Sequence, residues 1–236
     1  MIDMEPIERT SALCRELGYR IIHGDTDALK ELYANTHTEH PAIIKTANLL
    51  QGCLTSVEIT DDASNIYDTE FLYYRGMLCL GEQSPLIKKD LRTARICFQR
   101  ISGSVPLVEA RLAYIELLLS DAPLKSERHA RWLDTLRQYA SKQRDLFAMI
   151  VLAKICFQSY LNTCQENGVD PSEAGLPLKV VNLLTWPCQI CHPVAIRFWN
   201  DMCCHLGHSE ALWSTDCFGL SVLYDFKTSA NMQIRL

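Results

Sequence analysis

Cys188-Gln-Ile-Cys191, Cys204 and His208 stand at a C-x2-C-x12-C-x3-H spacing, close to that of a zinc finger. Thiolate and imidazole are the ligands zinc prefers, so this set is the sharpest chemical signal in the chain. The segment between them argues against a shared ion. His192-Pro193 reads as a helix cap and first helical residue, directly after the second cysteine. A helix of about twelve residues spans about 18 Å, whereas zinc–ligand bonds are about 2.0–2.3 Å. Such a helix holds its two ends too far apart for one ion. Ala195 and Asp201 also stand where a finger has an aromatic residue and a leucine. The sequence therefore assigns no metal and no cofactor.

Cys203-Cys204-His205 suggests a nucleophile beside a base. Neighbours on a helix point about 100° apart, so Cys204 and His205 do not face each other. Cys204 and His208 are four apart, but Gly207 reads as a helix stop between them. Glu109, Glu116, Asp134 and the Asp61-Asp62 pair form no carboxylate constellation, and Asp25-Thr-Asp27 is too short for a calcium loop. There is no glycine-rich phosphate loop, no G-x-S-x-G and no H-E-x-x-H. No catalytic residue is assigned.

Lys88, Lys89, Arg92, Arg95 and Arg100 form a basic cluster, a candidate contact for a carboxylate-rich partner or RNA and more simply the solvated face of an amphipathic helix. Arg128, Arg131, Arg137, Lys142 and Arg144 form a second basic stretch, with Trp132 as an inward packer or a contact anchor. The formal charge of -5 lacks the footprint of a general nucleic-acid binder.

The elements carrying these residues read as helices almost throughout. Of 236 residues, 48% are hydrophobic and 22% charged, enough for a continuous core. Ten glycines and nine prolines are too few for an all-β sandwich. The first helix carries Ile7, Leu13, Leu17 and Ile21 to a stop at Gly24, and Asp25 caps a second with Ala28 and Leu32. His40-Pro41 opens a third, ending at Gly52; Thr55 to Thr60 alternates weakly like a strand. Glu70 to Leu80 ends at Gly81, and Gln83-Ser-Pro85 is a loop. Asp90 caps the next helix; Ser104 and Pro106 start one running to Ser120 with Leu112, Ile115 and Leu119 inward. Ser126 opens a helix to Lys142, and another runs from Asp145 to Asn167-Gly168. Asp170 to Pro177 is the long loop, followed by a short helix from Lys179 to Leu184 and a break at Trp186-Pro187. Pro193 to Leu206 and a last helix from Ser209, with Ala211, Leu220 and Leu223, complete the reading. No apolar run such as Ala113–Leu119 approaches the roughly 20 residues of a spanning helix. With no secretory signal at Met1–Pro6 and cysteines such as Cys14, Cys79, Cys97 and Cys156 on apolar stripes, the expectation is a cytoplasmic chain with no membrane contact.

Ala94-Arg-Ile-Cys-Phe-Gln-Arg-Ile101 returns as Ala153-Lys-Ile-Cys-Phe-Gln-Ser-Tyr160, with five of eight positions identical. Internal likeness of this kind suggests a repeat. Ala28, Ala94, Ala130 and Ala195 open their helices at spacings of 66, 36 and 65, near multiples of about 33. Ala153 is out of phase with that series, so the two octets are one packing grammar used at different repeat positions.

Asp90, Ala94, Phe98 and Ala110, and again Ala195, Phe198, Trp199, Gly207, His208 and Ala211, follow a pattern of small and aromatic residues. Arg75-Gly76-Met-Leu-Cys79 precedes the first of these units. The pattern resembles the Sel-one-like repeat family, relatives of the tetratricopeptide repeats. The resemblance implies an all-α solenoid of antiparallel helix hairpins, a right-handed superhelix that binds proteins or peptides on its concave face. The expected organisation is one helical-repeat domain over 1–236: an N-terminal helix over 1–24, hairpins over 25–226 and a tail over 227–236. The expected function is non-catalytic, a scaffold, adaptor or inhibitor for another protein. A nucleic-acid-binding repeat protein and an enzyme of unfamiliar type stay open as alternatives, and so does self-association.

Overall fold

The computed structural model describes residues 21, 28, 31, 48, 50–55, 69–81, 88–105, 107–121, 126–190, 192–208, 212 and 213. Among these the chain is all-helical, without a strand. The expected N-terminal stripe with Cys14, the Asp25 cap, the His40-Pro41 start, residues 56–60, the loop at Pro85, Cys191, Ala211 and everything after Trp213 lie outside the described residues. The chain divides into two compact units, Met1–Val108 and Glu109–Leu236.

In the first unit residues 50–55 are helical. The helix therefore runs past Gly52, which the sequence reading took as its end. A Cβ on Gly52 would sit 3.3 Å from the Phe71 ring, so this glycine marks a close approach. Helix α1, Thr69–Leu80, stops at Gly81, whose φ of 71° is the left-handed turn glycine adopts most readily. Asp90 N–H donates to the Cys79 carbonyl at 2.8 Å, pinning the start of the next helix to the end of α1. Helix α2, Leu91–Ile101, begins where the Asp90 carboxylate accepts from the N–H groups of Arg92 and Thr93, both at 3.1 Å. Ala94, Cys97, Phe98 and Ile101 recur at helical spacing and are all buried. Phe98 lies against Gly76 of α1, where a Cβ would come within 2.7 Å of the ring. The buried Arg75 guanidinium donates to the Cys53 carbonyl.

In the second unit, helix α3, Val108–Leu119, begins at the junction and buries Ala110, Arg111, Ala113, Tyr114 and Ile115. Leu119, expected inward, is 44% exposed. It closes an apolar run, Leu117–Leu119, that winds around the helix, and only part of such a run can face one core. Helix α4, Glu127–Lys142, is capped by Ser126, whose hydroxyl accepts from His129 N–H at 3.2 Å. Its buried positions are Leu136 and Ala140. Ala130 is exposed. Six residues at 100° each place it about 120° from Leu136. The equally phased alanine series is thus broken at Ala130.

Helix α5, Leu146–Asn167, starts at Asp145 and ends at Gly168 with φ 64°. Val169 N–H reaches the Cys164 carbonyl at 2.9 Å, closing a Schellman turn. At 22 residues, α5 is long and apolar enough to cross a membrane by length and composition. The sequence reading missed it because charged and polar residues interrupt its apolar runs. Its first eight residues, Leu146 to Ala153, are all buried within the protein. The Tyr160 hydroxyl lies 2.8 Å from the Gly175 carbonyl and 3.1 Å from that of Pro171, tying the long loop to α5.

Helix α6, Leu178–Gln189, contains Pro187 rather than breaking before it. Proline removes one N–H and crowds the carbonyl four residues earlier. Here it sits in the last turn, and the buried stripe Val180, Leu184, Pro187 and Cys188 passes straight through it. Helix α7, Pro193–His205, has His192 as its cap, with Nδ1 accepting from Ala195 N–H at 3.4 Å. Gly207, φ 77°, ends it, and His208 N–H donates to the Cys203 carbonyl at 2.8 Å. The core of α5, α6 and α7 gathers Ile150, Ala153, Leu184, Ala195, Trp199 and Met202.

Candidate functional site

The cysteine and histidine set is divided by the fold. Cys188 is buried in the core of the second unit, and burial first, then the nearby Cys203, pushes its thiol up to about 12. Cys204 is exposed on α7, and His208 follows Gly207 at a half-buried position. The thirteen-residue helix α7 separates Cys191, itself outside the described residues, from His208. Among the described residues, no group of three or more His, Cys, Asp or Glu side chains converges on a common point. His205 turns its ring edge to Phe157, centroids 6.1 Å apart, and not to its neighbour Cys204.

The charged pair at the start of α5 is structural. Arg111 Nη1 and Asp145 Oδ2 are 2.6 Å apart with side chains only 5% and 3% exposed. Asp145 also accepts from Phe147 N–H at 3.3 Å, and the Arg111 guanidinium stands 4.6 Å from the Phe147 ring centroid. The pair joins α3 to α5, and the Tyr114 ring meets Phe147 edge-on at 5.7 Å beside it.

Between α5 and α7 lies an aromatic seam. Phe157 contacts Phe198 at 6.0 Å and stacks near Tyr160 at 6.3 Å, and Lys154 lies over Phe198 at 6.0 Å. Phe157, Tyr160 and Phe198 are half-buried. Trp132, weighed as an anchor, is half-buried on α4.

The second basic cluster leads to a site. Arg131 pairs with Glu127 at 3.8 Å and Arg137 with Asp134 at 2.7 Å, within α4. Arg128, Lys142 and Arg144 are exposed and pair with no carboxylate among the described residues. Arg144 occupies the turn between α4 and α5 with φ 52°. At Gly168 and Gly207 the same left-handed conformation is taken by glycine. A side-chain residue there carries a strain of order 1 kcal/mol. The Asp145 N–H, donating to the Tyr139 carbonyl at 3.1 Å, holds the turn closed. The turn carries the Arg144 guanidinium over the Trp186 ring of α6, 5.5 Å from its centroid. Beneath them a groove of about 290 Å³ is lined by Ala140, Ser141, Arg144, Met149 and Trp186.

In the sequence Arg144 ends a basic stretch and Trp186 stands beside a break, and nothing joins the two. One signal was present. Lys142, Gln143, Arg144 and Asp145 join two helices with no glycine, so any left-handed residue in this turn carries a side chain. The chain matches no family model, no curated protein and no solved structure.

Proposed function

We propose that this chain is a non-catalytic protein-interaction module, a scaffold, adaptor or inhibitor that holds another protein or a peptide on a helical surface. The observation that carries this reading is the stepwise packing of the second unit. There α4 packs on α5, α5 on α6 and α6 on α7. The side-chain contacts described reach one helix further, from α3 to α5 and from α5 to α7. Stacking limited to near neighbours is the habit of repeat arrays, which present long preformed faces. A preformed face costs little ordering entropy when a partner docks.

The Sel-one-like reading is supported by Ala94 with Phe98 and by Ala195 with Phe198 and Trp199. Both alanines are fully buried and open their helices. A cytoplasmic location is the setting proposed for this module.

The test is affinity capture of the full chain from its native cell, with cross-linking and mass spectrometry of what co-purifies. The reading expects a saturable protein partner whose cross-links fall on exposed helical faces. Recovery of nucleic acid alone, lost on nuclease treatment, would replace it with the nucleic-acid alternative. Turnover of a small molecule by the pure chain would replace it with the enzyme alternative.

A further inference from the structure

Arg144 is costly where it stands. Glycine fills the left-handed place at Gly81, Gly168 and Gly207, and at the end of α4 an arginine takes it with φ 52°. Strain held at one residue points to what its side chain does. The guanidinium carbon lies over the Trp186 ring, 5.5 Å from its centroid, and Arg144 is exposed. A guanidinium presents its N–H groups in a fork that matches a carboxylate with two parallel hydrogen bonds. Beside it the groove is lined by the half-buried Trp186 ring and by the largely buried Ala140 and Met149.

The charge around the groove has a consistent sign. Residues 140–144, at the groove, hold two cations and no carboxylate on a chain of net -5. The basic groups at this end of α4 are Lys142 and Arg144, and Lys179 opens α6, seven residues or about 10 Å along the helix from Trp186. All three are exposed. The nearest carboxylate in sequence, Asp145, is buried against Arg111.

From these observations we infer that the groove at the α4–α5 turn receives an acidic peptide segment of a partner protein. A Glu or Asp side chain meets the edge of Arg144, and a neighbouring apolar side chain packs on Met149 and Trp186. The inference rests on the interaction-module reading and gives it a ligand chemistry. A long polyanion such as RNA fits less well. It meets a chain of net charge -5, which repels a long run of phosphates.

The test is selection of a random dodecapeptide display library on the purified full chain, with Arg144→Gly and Trp186→Leu as parallel targets. Glycine suits the turn, so Arg144→Gly is expected to melt no lower than the parent, and about 2 °C higher if the strain is relieved. Selected peptides are expected to pair Asp or Glu with an adjacent apolar residue. Their affinity, read by fluorescence anisotropy, is expected to fall about tenfold or more on Arg144→Gly, as loss of a charge-assisted hydrogen bond requires. Trp186→Leu should weaken binding less, and Arg128→Gln, far along α4, should leave it unchanged.

Enrichment of peptides without acidic residues overturns the inference. So does equal recovery on the parent and on Arg144→Gly, or no enrichment on the parent. Tighter binding of a twelve-nucleotide single-stranded RNA than of the best peptide overturns it in favour of nucleic acid. A captured partner protein that cross-links away from residues 140–149 and 186 removes the groove proposal and leaves the module reading intact.

Discussion

The octets Ala94–Ile101 and Ala153–Tyr160 are nearly the same in letters and different in use. In the first, Ala94, Cys97, Phe98 and Ile101 are buried, and Phe98 is jammed against Gly76. In the second, Ala153 is fully buried, while Cys156, Phe157 and Tyr160 are half-buried beside α7. Distance from the helix start accounts for much of this. Ala94 comes four residues after its cap, Asp90, whereas Ala153 comes eight after Asp145. The first octet makes up the last eight residues of an eleven-residue helix packed along its length. The second is the middle of α5, where the buried run ends and the helix emerges. A shared octet therefore sets a face but not its depth.

The largest contrast is expected at the two caps. Asp145→Ala leaves the buried Arg111 without its counter-ion and is expected to cost about 3–5 kcal/mol. Asp90→Ala removes only an exposed cap, about 0.5–2 kcal/mol. Urea unfolding of the two variants measures the difference. Equal losses would mean that the Arg111 pair contributes no more than a cap.

Next come the rings. Phe98→Ala is expected to destabilise by about 3–5 kcal/mol, and Phe157→Ala by about half of that, since its ring is already half in water. Equal urea midpoints for the two would erase the contrast between octets. Gly76→Ala should cost about 1–3 kcal/mol, because the new methyl meets a fully buried ring with nowhere to turn. Gly168→Ala tests backbone strain instead, for a Cβ there meets nothing within 4 Å. Its cost is expected at about 1 kcal/mol, and a larger loss than at Gly76 would show that strain outweighs crowding.

A separate test is a pH dependence. Burial, opposed by Arg75, pushes Cys53 up to about 12 and Cys79 up to about 11 from an ordinary 9.0. Burial, with nearby Cys79 adding and Arg75 opposing, pushes Cys97 up to about 12. The folded state thus holds these thiol protons more tightly than the unfolded chain. Their contribution is full below pH 9 and is lost as pH rises toward 12. The melting temperature should fall across pH 9 to 10.5, and Cys97→Ala should flatten that fall. At pH 8, iodoacetamide with peptide mapping should label Cys156 ahead of Cys97.

Caps and stops were legible because their chemistry is local. Asp90, Ser126, Asp145 and His192 start helices through their own side chains, and Gly81, Gly168 and Gly207 end them through their own φ. What escaped depends on packing. Pro187 is kept helical by the buried stripe it shares with Leu184 and Cys188. Ala130 looks like Ala94 in sequence but faces water, because α4 presents another side to the core. The groove joins Arg144 to Trp186 across 42 residues, and no spacing rule links such a pair. The cysteine and histidine set shows the reverse. Its spacing was conspicuous, and the helix foreseen from His192-Pro193 is the element that lies between its members.

Asp145 does two things with one carboxylate: it begins α5 and neutralises an arginine 34 residues upstream. During synthesis Arg111 leaves the ribosome first and stays in water, since burying it alone is too costly. The apolar start of α5 follows Asp145 out, and its capping and the docking of Arg111 then happen together. We expect the amides of α3 and of the first turns of α5 to gain hydrogen-exchange protection in a single kinetic phase during refolding. One side chain thus sets the order of assembly as well as its endpoint.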